Sequence, residues 1–293
     1  LAESVYMGVV QHAGESAGAV AANLSDQGGQ IFMFNMALPS QGMGSRAITD
    51  LLPETDASLV VKTGNKIAPA SEPGEGGAEI VKVDGTTAAA TNATDNRVEL
   101  IDVSDATAIA SLGHLDIAEM ASARLALNGA ELADLGGITS VDIKGETVVA
   151  THTNASAGAN GFLVVYTVPG GDIAAASARV IEVGSHPDSV LLSADGATAF
   201  IANEGEVALV GETYVDGKGS VSMVDVASGA VTSIGFEAFD ALRDELIAAG
   251  VRINPDAESV AHDLEPEFMA LSQDGTTLFV TLQENNAVAR IDV

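Results

Sequence analysis

Apolar residues in this chain come in short runs broken by turn residues, not in long helical stripes. Val98, Leu100 and Asp102 alternate with Glu99, Ile101 and Val103, the period of two that a β-strand shows. Both sets are fairly apolar, as strands covered on two sides would be. The fullest pattern is Pro187–Val226: an apolar run, the turn Asp195-Gly196, a second run ending in ANEGE, an insertion, and a third run GSVSMVDV. The same phrase returns at Pro266–Val293, where Ser272, Asp274-Gly275 and Phe279 stand for Ser193, Asp195-Gly196 and Phe200. Ala78–Val103 is a third copy, turning at Asp84-Gly85, and Ile138–Val168 a fourth, turning at Lys144-Gly145. Short β-rich runs at Ala108–Leu112, Val180–Val183 and Val231–Ile234 read as fourth strands.

Four strands per unit, repeated at roughly 40–50 residues, predict an all-β fold of the β-propeller type. There are four clear four-stranded blades, and residues 1–40 read as a degenerate fifth. There, Val5–Val10, Ala19–Asn23, Gln30–Met36 and Leu59–Thr63 are the expected strands, with a polar loop over Pro39–Asp56. The chain is therefore divided into an N-terminal segment, 1–57, and a propeller, 58–293, that is incomplete at its C-terminus. Two insertions look helical. Phe236–Gly250 puts Phe236, Phe239, Leu242, Leu246 and Ile247 on one stripe, with Gly250 as C-cap. Leu115–Leu135 is rich in Ala, Leu and Glu and suggests a second helix.

Charge changes the picture of partners. With 41 acidic and 12 basic residues the formal charge is −29. Such a surface repels nucleic acid and anionic lipid. It suits cations, high salt or basic partners, or serves solubility alone. The absence of cysteine excludes disulfides, thiolate metal sites and a Cys nucleophile. No apolar run is long enough to span a membrane. A start at Leu1 without a signal-like segment suggests a removed targeting peptide or a piece of a longer chain.

Several phrases occur together and in order: Ala78–Val81, ANEGE at Ala202–Glu206, GSVSMVD at Gly219–Asp225, GVRI at Gly250–Ile253, DLEPE at Asp263–Glu267 and TLQENNA at Thr281–Ala287. Through them residues 78–293 resemble the bacterial choice-of-anchor I family, extracellular propellers whose neighbours include phytase-like esterase propellers. The resemblance implies secretion or surface attachment and a propeller continuing beyond this C-terminus, but no settled reaction. Residues 1–57 lie outside it. The strand–turn phrasing is more loosely similar to lactonase-type seven-bladed propellers.

In an up-and-down blade, the start of strand one and the link between strands two and three share one face. Glu79, Asp188 and Glu267 stand at first strands. Glu204, Glu206 and Glu284 follow second strands, with Asp95, Asn203, Asn285 and Asn286; Asp263 and Glu265 end the helical insertion. All are expected on one face. Carboxylates gathered there need a counter-charge, and hard oxygen ligands suit Ca²⁺. The eight acids Glu79, Asp188, Glu204, Glu206, Asp263, Glu265, Glu267 and Glu284 are therefore candidate metal ligands. The plainer alternative is that they solvate loops of a very acidic protein. His186 and His262 both precede first strands and are candidates for the same face; His12, His114 and His152 show no paired spacing.

Gly14–Gly18, GESAG, matches the nucleophile elbow of carboxylesterases, but no α/β context follows, so Ser16 is not expected to be a nucleophile. Lys218–Ser220 lacks phosphate-loop spacing and reads as a hairpin turn. The expected function is a secreted, cell-surface or periplasmic recognition or scaffold module with a Ca²⁺-binding acidic face. Its expected partners are other proteins or cell-surface components. The alternative is a phytase-like phosphoester hydrolase using the same face. A phosphate site wants cations, and Lys218 is the loop candidate; the scarcity of others favours binding over catalysis.

Overall fold

The Asp-Gly phrases of the repeats become turns in the computed structural model, which describes strands 5–10, 18–23, 30–35 and 44–47 and residues 80–105 and 109–293. Ser193 and Ser272 open two of these turns in the same way. Gly196 N–H donates to Ser193 O at 2.8 Å and Gly275 N–H to Ser272 O at 2.9 Å. Asp195 and Asp274 each accept from the serine hydroxyl at 2.6 Å. Local side-chain bonds of this kind give the backbone a turn that competes with further strand. Asp84 behaves differently. Its turn is tighter, pairing Asp84 with Thr87, and its carboxylate holds Lys144 Nζ and Gly145 N–H of the next sheet, each at 2.8 Å.

The chain divides into two compact units, Leu1–Ala68 and Pro69–Val293. In the first, β1 (Val5–Val10), β2 (Gly18–Asn23), β3 (Gln30–Asn35) and β4 (Gly44–Ala47) form one antiparallel sheet in chain order. β4 corrects the loop expected over 39–56. Backbone pairing with β3 makes it a strand, and a terminal strand of a sheet needs no apolar alternation. Leu59–Thr63, Ser16, His12 and Glu79 lie outside the described residues.

The second unit holds four main sheets in succession, antiparallel apart from one short parallel pairing, and a separate two-stranded hairpin. The first is β5 (Val81–Asp84), β6 (Thr87–Asn92), β7 (Arg97–Asp102) and β8 (Ala110–Leu115). A two-residue strand, β9 (Leu125–Ala126), joins the second sheet: β10 (Leu135–Lys144), β11 (Thr147–Asn154), β12 (Asn160–Thr167) and β13 (Ser177–Ser185). The third is β14 (Pro187–Leu192), β15 (Thr198–Asn203), β18 (Ser220–Asp225) and β19 (Val231–Gly235). A hairpin of β16 (Ala208–Val210) and β17 (Thr213–Val215) is inserted before β18. The fourth has three strands, β20 (Pro266–Leu271), β21 (Thr277–Leu282) and β22 (Ala287–Asp292).

These sheets stack face to face. Val148 and Ala150 of β11, with Phe162, Val164 and Tyr166 of β12, pack toward Ala89, Val98 and Leu100 of the first sheet. Their neighbours Val149, Leu163 and Val165 point the other way, against Val190, Ala199 and Ile201 of the third sheet. Phe200, Ala202 and Val221 then meet Met269, Leu278 and Val280 of the fourth. Interior strands are thus apolar on both faces because both faces are covered. Polar groups stitch successive first strands together. Asp142 accepts from Leu192 N–H at 2.7 Å, Ser140 Oγ from Val190 N–H at 3.3 Å, and Thr139 Oγ1 donates to Pro187 O at 2.5 Å. Ser189 Oγ donates to Glu267 O.

The insertions correct the sequence reading. Residues 115–135 hold no α-helix, only 3₁₀ turns at Ser122–Arg124 and Leu132–Asp134 around β9. Arg124 donates to Ala176 O, just before β13, at 3.1 Å, and Asn128 to Val180 O of β13 at 2.9 Å; tertiary bonds outweigh helix propensity. Phe236–Gly250 is not one helix either. A 3₁₀ segment, Glu237–Leu242, precedes α1 (Arg243–Ala248), and Leu242 at φ −107°, ψ 15° breaks the two. The break scatters the apolar stripe: Phe236 is 4% exposed, whereas Phe239, Leu242 and Ile247 are 39–47% exposed. Phe236 and Leu246 pack with Ile253, Val260, Ala261 and Leu264, the last group around α2 (Val260–Asp263). Gly250 does cap the helix, at φ +98°. Val251 N–H returns to Leu246 O and Gly250 N–H to Ile247 O, each at 3.0 Å, the Schellman pattern that favours glycine. No helix of the described residues is long and apolar enough to cross a membrane.

The split stripe predicts unequal costs. Phe236→Ala should lower unfolding free energy by about 3–5 kcal/mol, while Ile247→Gln should stay within about 0.5 kcal/mol. Urea denaturation of both variants checks this; equal losses would restore the continuous helix.

Candidate metal centre on the acidic end

The site is built where strands end, because the sheet faces are occupied by apolar packing. Asn203, the last residue of β15, is fully buried. Its Nδ2 donates to Ser220 Oγ at 3.1 Å and Ser222 Oγ at 2.9 Å, and its Oδ1 accepts from Gly184 N–H at 3.1 Å. One amide therefore ties the ends of β13, β15 and β18. Immediately after it, Glu204 N–H donates to His186 O at 2.8 Å and Gly205 N–H to Ser185 O at 3.1 Å. These bonds clamp the corner between β13 and β14. His186 turns that corner at φ +47°, an uncommon conformation for a residue with a side chain, more so before proline.

The corner brings His186 against two carboxylates. Its Nδ1 lies 3.1 Å from Glu206 Oε2, and its Nε2 3.9 Å from Glu204 Oε2. One ligand atom from each of the three residues falls within 4.8 Å of the others, as a shared metal ion requires. Among the described residues, this is the group of three or more His, Asp or Glu side chains that comes so close.

Further acids surround the group. Burial raises the Glu204 carboxyl to about 8, helped by the charges of Asp188, Glu206, Glu265 and Glu267. Glu265 is raised to about 7 by burial and then by Glu284, Asp263, Glu206 and Asp216. Glu267 is also raised, by burial first and then by Asp188 and Glu284. Seven of the eight acids singled out from sequence are thus in one electrostatic neighbourhood; Glu79 lies outside the described residues.

Only Glu204 and Glu206 of them join the close group. Asp263 braces the loops instead, accepting from Asn254 N–H at 3.0 Å and Asn285 Nδ2 at 3.1 Å. Asn285 also accepts from Glu265 N–H at 3.0 Å, so it orients that segment. Glu284 sits 3.7 Å from Arg252. Asp95 of the first sheet is engaged by Arg97 at 3.1 Å and by Asn92 Nδ2 at 3.0 Å. The loop geometry depends on close contact at Gly219: a Cβ there would stand 1.8 Å from Leu264 O.

The histidines divide. His186 supplies the imidazole that the acid-only ligand set omitted; its place just before Pro187 was the available signal. His262 does not join it. Its Nδ1 lies 2.9 Å from Ser259 Oγ, and it lines a cleft beside Lys218. Lys218 is paired with Glu237 at 3.4 Å. His152 is a core residue, 1% exposed, with its imidazole pushed down to about 4 by burial. His114 pairs with Glu119 at 3.1 Å.

The model of the choice-of-anchor I domain matches residues 79–293. The chain belongs to the choice-of-anchor I family. The phrases that carried the resemblance are the ones that build the acidic end of this choice-of-anchor I domain: ANEGE provides Glu204 and Glu206, DLEPE provides Asp263, Glu265 and Glu267, and TLQENNA provides Glu284 and Asn285. Among curated proteins, none matches the chain. Similar solved structures include a protein from Lactobacillus plantarum, 16% identical over 94% of this chain and 64% of that one, with TM-score 0.47. Putative 6-phosphogluconolactonases are similar too. The one from Bacteroides uniformis is 12% identical over 97% of this chain and 66% of its own, with TM-score 0.45. The one from Bacteroides fragilis is 13% identical over 97% and 66%, with TM-score 0.42. The chain spans about two thirds of the length of these structures.

A pH dependence follows from the raised carboxyls. Glu204 keeps its proton in the folded state up to about 8 but loses it near the ordinary 4.5 when unfolded. The folded form therefore binds more protons across that window, and stability falls as pH rises. With chelator present, the melting temperature should decline from pH 5 to pH 8, and Glu204→Gln should flatten the decline. A melting temperature that rises over this window would contradict the burial of these charges.

Proposed function

We propose that this chain is a cell-surface or secreted recognition domain of the propeller type, whose acidic end binds a divalent cation through His186, Glu204 and Glu206. The observation that carries the reading is the convergence of one imidazole and two carboxylates within 4.8 Å. Family membership suggests the surface location and the propeller-like architecture. Four successive sheets stacked face to face support that architecture; a seven-bladed ring is the arrangement we propose for the complete domain. An ion would neutralise charges that are costly when buried together.

The imidazole amends the expected chemistry. An all-oxygen set suits Ca²⁺; an imidazole beside two carboxylates favours Zn²⁺ or Mn²⁺. The cation in the neighbouring cleft, Lys218, is already paired with Glu237. That leaves little to hold a phosphoryl group, so we favour binding over phosphoester hydrolysis.

Calorimetric titration of the chelator-treated protein with Zn²⁺, Mn²⁺ and Ca²⁺ tests the centre. One equivalent should bind, with Zn²⁺ or Mn²⁺ tighter than Ca²⁺. At a hundredfold excess over Kd the ion should add about 2.7 kcal/mol of stability. His186→Ala or a Glu204→Gln/Glu206→Gln double variant should abolish the heat. Titrations with no binding in the wild type would refute the cation centre, and Ca²⁺ binding that survives His186→Ala would move it to the other acids.

A further inference from the structure

The link between second and third strands is short in three of the four main sheets, at residues 93–96, 155–159 and 283–286. In the third sheet it is residues 204–219, and it carries the β16–β17 hairpin. The hairpin adds nothing to the stacking of the sheets. It is a separate two-stranded sheet, and none of its residues belongs to the buried core. Its turn is Gly211-Glu212, with Gly211 at φ +65°, the glycine-first form that closes a two-residue hairpin.

The two faces of the hairpin differ. Ala208 and Val215 are directly paired and half-buried. Val215 packs at Gly158, where a Cβ would stand 2.2 Å from Val215 Cγ1. Leu209 and Tyr214 are also directly paired, so their side chains project from the other face. That face is open: Leu209 is 60% exposed and Tyr214 73%. Val207 and Val210, before and at the end of β16, are 47% and 52% exposed. A large apolar residue exposed alone is ordinary. Here four crowd into residues 207–214, two of them in register across the hairpin, and burying them against a partner is favourable. Tyrosine, apolar in its ring and polar at its tip, is a residue type enriched at interfaces.

Charge names the partner. Residues 204–217 hold Glu204, Glu206, Glu212 and Asp216 and no Lys or Arg. Glu212 stands in the hairpin turn and Asp216 directly follows β17. The chain as a whole carries −29. An apolar surface with so acidic a border disfavours a second copy of this chain and anionic lipid alike. It complements an apolar surface bordered by Lys or Arg.

We propose that the Leu209–Tyr214 face of the β16–β17 hairpin docks onto an amphipathic segment of a partner protein whose apolar face is bordered by lysine or arginine. The inference rests on the recognition reading above but not on the cation, since neither Leu209 nor Tyr214 belongs to the His186, Glu204 and Glu206 group.

Fluorescence anisotropy with a labelled helical peptide, leucine on one face and lysine on the other, tests the proposal. Every titration contains EDTA, so a failed cation centre cannot mimic failed docking. The wild type should bind with Kd of about 100 μM or tighter. Serine in place of the peptide's leucines, or glutamate in place of its lysines, should weaken binding about tenfold or more. Leu209→Ser/Tyr214→Ser should do the same at an unchanged melting temperature, because both side chains are exposed. Tyr214→Ser alone should weaken binding about fivefold, and Glu212→Lys about threefold. The proposal is overturned if the wild type does not bind, or if the Leu209→Ser/Tyr214→Ser variant binds like the wild type. It is also overturned if the serine–lysine peptide binds as tightly as the leucine–lysine one, since that is charge attraction to the acidic surface alone. Capture of phosphatidylcholine vesicles by the wild type and not by the double variant, without peptide binding, would make the hairpin a membrane contact and overturn the protein partner.

Discussion

Burial of strands on both faces is the constraint on which the second unit depends. Val148, Ala150, Phe162 and Val164 fill one interface, and Val149, Leu163 and Val165 fill the next. Sheets packed in this way leave almost no face for polar chemistry. Where a polar side chain is buried in them, it is tied down: Asp142 accepts Leu192 and Ile143 N–H groups at 2.7 and 2.8 Å, and Asn203 bonds three segments at once. Charged groups are therefore displaced to strand ends and connecting loops. The candidate metal centre lies there, at the corner between β13 and β14.

That corner links packing to chemistry. His186 holds φ +47° because Glu204 and Gly205 bond the carbonyls of His186 and Ser185, and Asn203 fixes the strand from which they leave. The same bonds bring Glu204 and Glu206 onto the imidazole. The acids beyond them resist ionisation, Glu204 and Glu265 most clearly, because burial and mutual repulsion act in the same direction. Scaffold loops reinforce the arrangement. Asn285 donates to the carbonyls of Arg252 and Asp263 at 3.0 and 2.6 Å, holding the helical insertion against the fourth sheet.

Much of this was legible along the chain. The correspondence of Ser193, Asp195 and Gly196 with Ser272, Asp274 and Gly275 is reproduced bond for bond in the two turns. Of the acids following second strands, Glu204 and Glu206 come together with His186. The helical stripe from Phe236 to Ile247 was misleading, since a break at Leu242 turns half of it to solvent. His186 was harder to weigh, because a histidine before a proline has no characteristic partner spacing. Its carboxylate partners are 18 and 20 residues away in sequence and meet it only through a clamped corner.

Period-two alternation, Asp-Gly turns and repeated phrases are local signals, and local backbone preferences were enough to determine the main strands of the repeats and the all-β class, but not β4, β9 or the β16–β17 hairpin. Distances between ends of different strands are not local. They depend on how sheets stack and on where a buried amide such as Asn203 pulls three segments together. Which acids approach an imidazole and which lysine is spent on Glu237 were therefore settled by tertiary packing. Such contacts arise from shape and burial summed over many residues, and no short stretch of sequence carries them.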